Sequence, residues 1–531
     1  MDSKMHELGV MEKNGSDRSA VIAAQELGSS TVNRDEAEMA YYGKRQQLKR
    51  NFGFLSIAGF VCSLLSTWEG MFSVFLYGFE NGGPAGLVYG YIFCWIGTLA
   101  VVASMSELAS MMPLSGGQYH WVSILAPPRW AKFLSYITGW VTIIGWQAGQ
   151  ASVAFLSATI IQGLAILNYD SYVPERWHGT LILYALMAVI VFTNTYLARW
   201  LPKIEGLVLC LHVIGFFAII IPLIYLSPHG SAHDVFATFI NGGGWKSDGL
   251  SFFVGIVTSV FSFLGADSAC HMAEEIHNAS TIVPWAMIAS VMLNGVLGFA
   301  ALIAILFCLG NIDAALSSPT GYPFIEIFAQ GVNSKGGATG MVAVLLVLII
   351  AATVGIMATA SRLLWSFARD GGVPGSKYIS RVHAPTALPL YSIFVTCIIS
   401  LLLALINIGS TTALNAIVSV NCAAFFSSYL FPIGLILFKR LRNDPEKDHI
   451  RWGPWKMGPV MGPIINTIAI IYAILAFFFS FFPATSTVTT TTMNWSCLIF
   501  GASIMFSVGF YFLFGRQSYK WPIVDPIRRR Q

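Results

Sequence analysis

Apolar residues run almost unbroken for about twenty positions at a time along most of this 531-residue chain, and polar residues gather between the runs instead of alternating within them. Runs long enough to cross about 30 Å of hydrocarbon occur at roughly 54–79, 86–111, 132–167, 179–198, 204–226, 250–273, 285–310, 339–366, 389–407, 413–438, 463–482 and 494–514. Each predicts a membrane-spanning helix, and they are numbered span 1 to span 12. The fold class is then all-α and integral to the membrane, and the even count of 12 spans puts both chain ends on one side. Residues 1–50 hold no comparable run. They are polar, mixed in charge and poor in large apolar side chains, which predicts a disordered tail, and they lack the pattern of a cleaved signal peptide.

Composition agrees: the chain is 55% hydrophobic and 11% charged, with a mean hydropathy of +0.67, which excludes a soluble globular protein of this size. A net charge of +4 implies no global attraction to nucleic acid. The placing of the positive charge matters more. With the N-terminus in the cytosol, all but Arg176, Lys246 and Lys335 of the 30 Lys and Arg residues fall on the cytosolic side, as the positive-inside rule requires. Residues 1–50 and 516–531 then form cytosolic tails, 51–438 a transport core of spans 1 to 10, and 439–515 the last two spans. The eight cysteines lie in or beside apolar runs without a CxxC pair. They read as small buried side chains, neither a disulfide framework nor a metal site.

Two spans are interrupted near their middle by polar, glycine-containing stretches, "STWEGMF" at 66–72 in span 1 and "SFLGADSACHMAEE" at 262–275 in span 6. Corresponding positions lie five spans apart, so the two halves run in opposite directions, the sequence pointer to an inverted-repeat transporter with discontinuous helices 1 and 6. A break at membrane depth frees N–H and C=O groups, tolerable only against protein or a wet cavity. There they become ligands, helix N-termini for a carboxylate and free carbonyls for an ammonium. Ser66, Thr67, Trp68, Glu69 and Gly70, with Phe263, Gly265, Ala266 and Asp267, are therefore the candidate substrate site. An acid at helix centre costs about 2.5–3.5 kcal/mol on insertion scales. Glu69 and Asp267 are accordingly candidates for a substrate ammonium or a coupling proton, with a structural hydrogen bond between spans as the alternative. Trp68 offers its ring to a cation or to packing. In span 3, "GWQAGQ" at 145–150 pairs Gly145 with Gly149 for close helix approach and adds Gln150 as a polar candidate. His212, about 13 Å into span 5, is a third proton-coupling candidate or a satisfied core histidine.

The stretch "MSELASMMPLSGGQYHWVSILAPP" at 105–128 resembles the end of helix 2 and the following loop of the amino acid/polyamine/organocation permeases. "FLGADSACHMAEEIHNASTIVP" at 263–284 and "SRLLWSFARDGGVPGSKYISRV" at 361–382 resemble the fungal branch that carries amino acids, GABA and choline. The resemblance implies a five-plus-five inverted-repeat fold, substrate held by backbone groups of unwound spans 1 and 6 (Thr67 to Gly70 and Phe263 to Asp267), and proton-driven uptake. The chain departs from bacterial relatives at "STWEG", which has a single glycine. It departs from proton-coupled ones in span 5, where Lys203 stands at the helix entrance and leaves His212 as the nearest titratable group at depth. In this topology the Glu107 to Gly117 region, Glu274 and Glu275 face the cytosol and read as gate residues pairing with loop Lys and Arg.

The prediction is a secondary active transporter, a proton symporter of the plasma membrane that imports a small amine-containing solute such as an amino acid, GABA or choline by alternating access. That solute, protons and the lipid bilayer are its expected partners; no nucleic acid, cofactor or metal is expected. The alternative is a nutrient-sensing receptor of the same fold with little transport. An enzyme is not expected, since no HExxH or GxSxG motif occurs.

Overall fold

Residues 31–409, 411–442, 450–490 and 492–520 are described by a computed structural model. Among the described residues, eleven helices are long and apolar enough to cross a membrane, from Phe54–Ser73 and Gly83–Met111 to Met461–Phe479 and Ser496–Ser518. No strand occurs among the described residues. The chain is a multi-pass α-helical membrane protein. Span 6 is the predicted run missing from those eleven: it is built from Asp248–Gly255, Val257–Ser262 and Ser268–His271, each too short to cross alone. In its gap Gly265 takes φ +96°, a conformation that glycine adopts without steric cost.

Span 1 is also divided, into Phe54–Leu65, Thr67–Ser73 and Phe75–Glu80. Two single residues, Ser66 and Val74, separate the pieces, and the first is the predicted break. Ser66 takes φ 41° and ψ 47°, the left-handed conformation that ends helices, and Gly70 N–H reaches back to Ser66 O at 2.7 Å to start the next turn. The stretch Thr67 to Gly70, expected to be unwound, is therefore helical.

Small residues bring the spans together around this break. Span 3, Pro128–Asn168, has 41 residues, about 60 Å of helix, and spans 4, 8 and 10 pack on it. A Cβ on Gly145 would stand 3.3 Å from Ala424 Cβ, and one on Gly149 only 2.9 Å from Asn421 Nδ2, so the small pair seats span 10. The first half of span 1 lies among span 5 (Ala198–Leu226), span 7 (Ala279–Phe307) and span 8 (Lys335–Arg369). At Gly59 it meets span 5 at backbone distance: a Cβ there would come within 2.7 Å of Glu205 O.

The N-terminal segment corrects the expectation of a disordered tail over 1–50. Thr31–Tyr41 is a helix, and the chain from there to Phe52 is tied to the ends of spans 6 and 7. Asp35 accepts from the backbone N–H of Asn278 and Ala279 at 2.8 and 3.1 Å, capping span 7 with a negative charge at the positive end of its dipole. Arg50 donates to Ala273 O at 3.1 Å and to Ile276 O, and Tyr42 donates to Met111 O at 2.7 Å. Composition misses such a segment because it is held chiefly by unpaired backbone groups at helix ends. At the other end, Tyr519 of the predicted C-tail is buried, its hydroxyl 2.6 Å from Ser135 Oγ. Residues 1–30 and 521–531 of the two expected tails lie outside the described residues.

Candidate functional site

Between the two breaks lies a cavity of about 60 Å³, lined by Ser66 and Gly70 of span 1, Phe261, Ser262 and Gly265 of span 6, Trp146 of span 3, and Asn421 and Phe425 of span 10, among others. That is room for a few water molecules, with side chains drawn in around them. No ionisable side chain among the described residues lines it. Its polarity comes from hydroxyls, one amide and backbone: in the turn after Ser262, the N–H of Gly265 finds no acceptor among the described residues.

Helical geometry explains which residues of "STWEG" reach the cavity. At about 100° per residue, positions 66 and 70 share a face, Trp68 goes to the far side and Glu69 to the flank against span 5. There Glu69 Oε1 lies 2.8 Å from His212 Nδ1, both side chains fully buried. Glu69 and His212, two separate candidates in the sequence, are thus one pair. Glu69 Oε2 and His212 Nε2 are buried without a hydrogen-bond partner. Trp68 packs on His212 at 5.7 Å between ring centres and edge-on against Phe72 and Phe216, so it encloses the pair and has no ring face at the cavity.

Asp267 is likewise turned away from the cavity. It accepts from Gln118 Nε2 at 2.6 Å and Tyr429 OH at 2.8 Å, with His271 Nε2 at 3.3 Å. The other His271 nitrogen lies 3.1 Å from Ser115 O. Asp267 therefore latches span 6 to the loop after span 2 and to span 10. Phe263 and Ala266 line a second, smaller cavity beside Tyr429. Gln150 is buried with Nε2 3.6 Å from Met187 Sδ. Of the predicted site residues, Ser66, Gly70 and Gly265 reach the main cavity, and Thr67, Trp68, Glu69, Phe263, Ala266, Asp267 and Gln150 do not.

Asn294 of span 7 is a residue that the sequence reading missed. Its Oδ1 accepts from Thr67 N–H at 3.2 Å and its Nδ2 donates to Cys62 O at 3.3 Å, so one amide satisfies the donor freed at Thr67 and ties it across the span 1 break to Cys62 O, which also accepts from Ser66 N–H. The signal was available: an asparagine within the apolar run 285–310 must find a partner. Asn294→Ala leaves the Thr67 N–H buried and unpaired, while Cys62 O keeps the Ser66 N–H at 3.2 Å, and is expected to cost about 1–3 kcal/mol, read as a lower unfolding midpoint in detergent; an unchanged midpoint would contradict the bridging role.

Toward the N-terminal segment the site is closed by buried ion pairs. Glu274 takes two 2.8 Å hydrogen bonds from Arg369, Arg362 meets Glu275 at 2.8 Å and Arg440 meets Glu107 at 2.7 Å, and Lys44 of the N-terminal segment meets Asp370. Burial pushes the Glu274 carboxyl up, but the charge and hydrogen bonds of Arg369 outweigh it and hold the group below its ordinary value of 4.5. His120, buried in the same layer, is pushed well below its ordinary 6.5, first by burial and then by Lys44 and Arg369.

Known proteins resemble this chain over most of its length. The amino acid permease family model matches residues 52–503. A choline transporter of Saccharomyces cerevisiae is 33% identical over 414 residues, 77% of this chain and 72% of its own. A Macrophomina phaseolina protein named as a candidate amino acid/polyamine transporter is 33% identical over 401 residues, 75% of this chain and 88% of its own. Amino-acid permease 2 of Neurospora crassa is 26% identical over 522 residues, 98% and 94% of the two chains.

Proposed function

The chain belongs to the amino acid permease family, a transporter family and not an enzyme family, and on that premise we propose that it is a proton-coupled importer of a small amine-bearing solute. It works by alternating access about the breaks in spans 1 and 6, in a five-plus-five inverted repeat, with both termini in the cytosol of a cell bounded by the plasma membrane it serves. The distribution of Lys and Arg supports this orientation.

The observation that carries the reading is the Glu69–His212 pair, buried one turn from the span 1 break with a spare polar atom on each partner. An acid and an imidazole at 2.8 Å share protons in a way that one charge alone in that seam would not. A proton entering from outside completes an ion pair, and its loss leaves a net negative charge that favours a different packing of span 1 on span 5. The cavity beside it suits an ammonium-bearing solute. Trp146 and Phe425, 5.0 Å apart and edge to face, offer aromatic faces to a cation, and the free N–H of Gly265 offers a place for a carboxylate or hydroxyl. Amino acids, GABA and choline all fit this description, and the choline transporter among the relatives makes choline the first to try.

Uptake of labelled choline, GABA, putrescine and the common amino acids, in yeast cells lacking their own permeases, tests the proposal. At least one is expected to accumulate above its external concentration and to lose that accumulation when an uncoupler is added. Accumulation of none, or accumulation indifferent to the uncoupler, overturns it.

A further inference from the structure

Glu205 has no part in the chemistry above, and it is the odd one among the buried acids. Asp35, Glu69, Glu107, Asp267, Glu274, Glu275 and Asp370 each face an arginine, lysine or histidine. Glu205, only 1% exposed, accepts one hydrogen bond, from the Ser63 hydroxyl at 2.6 Å, and forms no ion pair among the described residues. A lone carboxylate in such a seam would be an uncompensated charge, whereas a neutral acid is adequately served by one hydroxyl.

Its position relates it to the Glu69–His212 pair. Glu205 and His212 are seven residues apart on span 5, about two turns or 10 Å along one face, and both meet span 1: Glu205 at Ser63, before the break, and His212 at Glu69, after it. No other charge competes there. The Phe54–Leu65 half of span 1 has Cys62 as its one titratable side chain, and span 7 has none. Span 8 brings Arg362 and Arg369, engaged by Glu275 and Glu274, and at its other end Lys335, beside Asp170; Glu326 of the helix Pro323–Gly331 is taken up by Gln330. On span 5 itself, Arg199 and Lys203 lie over the Trp200 ring at 5.5 and 4.7 Å. The seam is thin at this point, since Gly59 brings the two backbones together at Glu205 O.

We propose that Glu205 is the release site for the coupling proton on the cytosolic side, an inference that rests on the proton-coupled reading above. In the closed form Glu205 holds a proton against Ser63. When Phe54–Leu65 moves off span 5, the seam admits water and the carboxyl O–H gives its proton to the cytosol. The resulting carboxylate retakes a proton through that water from the imidazolium of His212, and the seam recloses over a neutral acid. One proton passes per cycle from the pair to the cytosol, and Gly59 with Ser63 forms the shutter.

The test uses the full chain in proteoliposomes, with labelled choline as probe and GABA as the second, under an imposed pH gradient and, separately, in exchange at equal concentrations. A gradient of one pH unit supports at most about tenfold accumulation per coupled proton. E205Q, which keeps an acceptor for Ser63, is expected to continue exchange but to fall to parity under the gradient. S63A, which keeps the acid and removes its hydroxyl, is expected to shift the pH midpoint of uptake, which a merely structural contact would not move. Accumulation by E205Q equal to wild type overturns the assignment while leaving proton coupling intact. So does loss of exchange in E205Q together with an unmoved midpoint in S63A. A wild type that exchanges either probe yet ignores the gradient overturns the coupling reading and this one with it.

Discussion

Glu69→Gln is expected to abolish accumulation against a gradient while leaving the carrier folded and able to exchange substrate. The amide keeps an oxygen at 2.8 Å from His212 Nδ1 for the imidazole to donate to, so the seam between spans 1 and 5 stays filled. What it removes is a group that can take and lose a proton at that point. With one coupled proton, a gradient of one pH unit supports about tenfold accumulation, and the variant should bring solute only to parity. Glu69→Ala is a different experiment: it strips one partner from a pair with no exposed surface, and should cost about 3–5 kcal/mol of stability. Comparing uphill uptake with exchange separates the two. If Glu69→Gln accumulates solute as wild type does, the pair is a structural pin and the proton moves elsewhere.

The same pair shows how far the sequence could be read. The apolar runs located the spans because bilayer thickness sets a length that few other constraints imitate, and of the two divided spans only span 6 is cut into pieces too short to cross, since its own "FLGAD" interrupts it. Both breaks were legible as polar residues and glycine in a costly place. Their internal geometry was not. Whether "STWEG" unwinds or kinks depends on Asn294, 227 residues away, which satisfies the freed Thr67 N–H while bonding Cys62 O on the other side of the break and lets the chain resume a helix at once. That choice turns Trp68 and Glu69 from the cavity toward span 5. Asp267 was misplaced for a related reason. It lies in the gap itself, but Gln118 and Tyr429 come from a loop and a span that no local pattern connects to it. The N-terminal segment was misread because hydrogen bonds to helix ends leave no mark on composition, whereas apolar burial does.

Breaking the Glu274–Arg369 pair is expected to have the largest effect on stability and to loosen the closed face. Glu274 is fully buried and receives two hydrogen bonds from one guanidinium, so Arg369→Ala leaves an uncompensated carboxylate, at about 3–5 kcal/mol. Since the pair holds the turn after span 6 against span 8, the variant should also raise maleimide labelling of Cys270, which is buried beneath it, as read by mass spectrometry; labelling at the wild-type rate would show that this layer is not a gate. The pH dependence distinguishes this pair from its neighbour. The Glu274 carboxyl is held below its ordinary 4.5, so the contribution of the pair is complete above 4.5 and is lost only as pH falls through the lower folded value. His120 is pushed below 6.5; the unfolded chain then binds the extra proton first, and stability is lost as pH falls from 6.5 toward that lower value. Unfolding midpoints should therefore decline as pH falls below 6.5 in wild type, decline less steeply from a lower start in Arg369→Ala, where His120 loses one of the charges holding it down and burial raises the Glu274 carboxyl, and flatten in His120→Asn. A slope that vanishes with Arg369 instead of His120 would assign the acid sensitivity of this face to the ion pair.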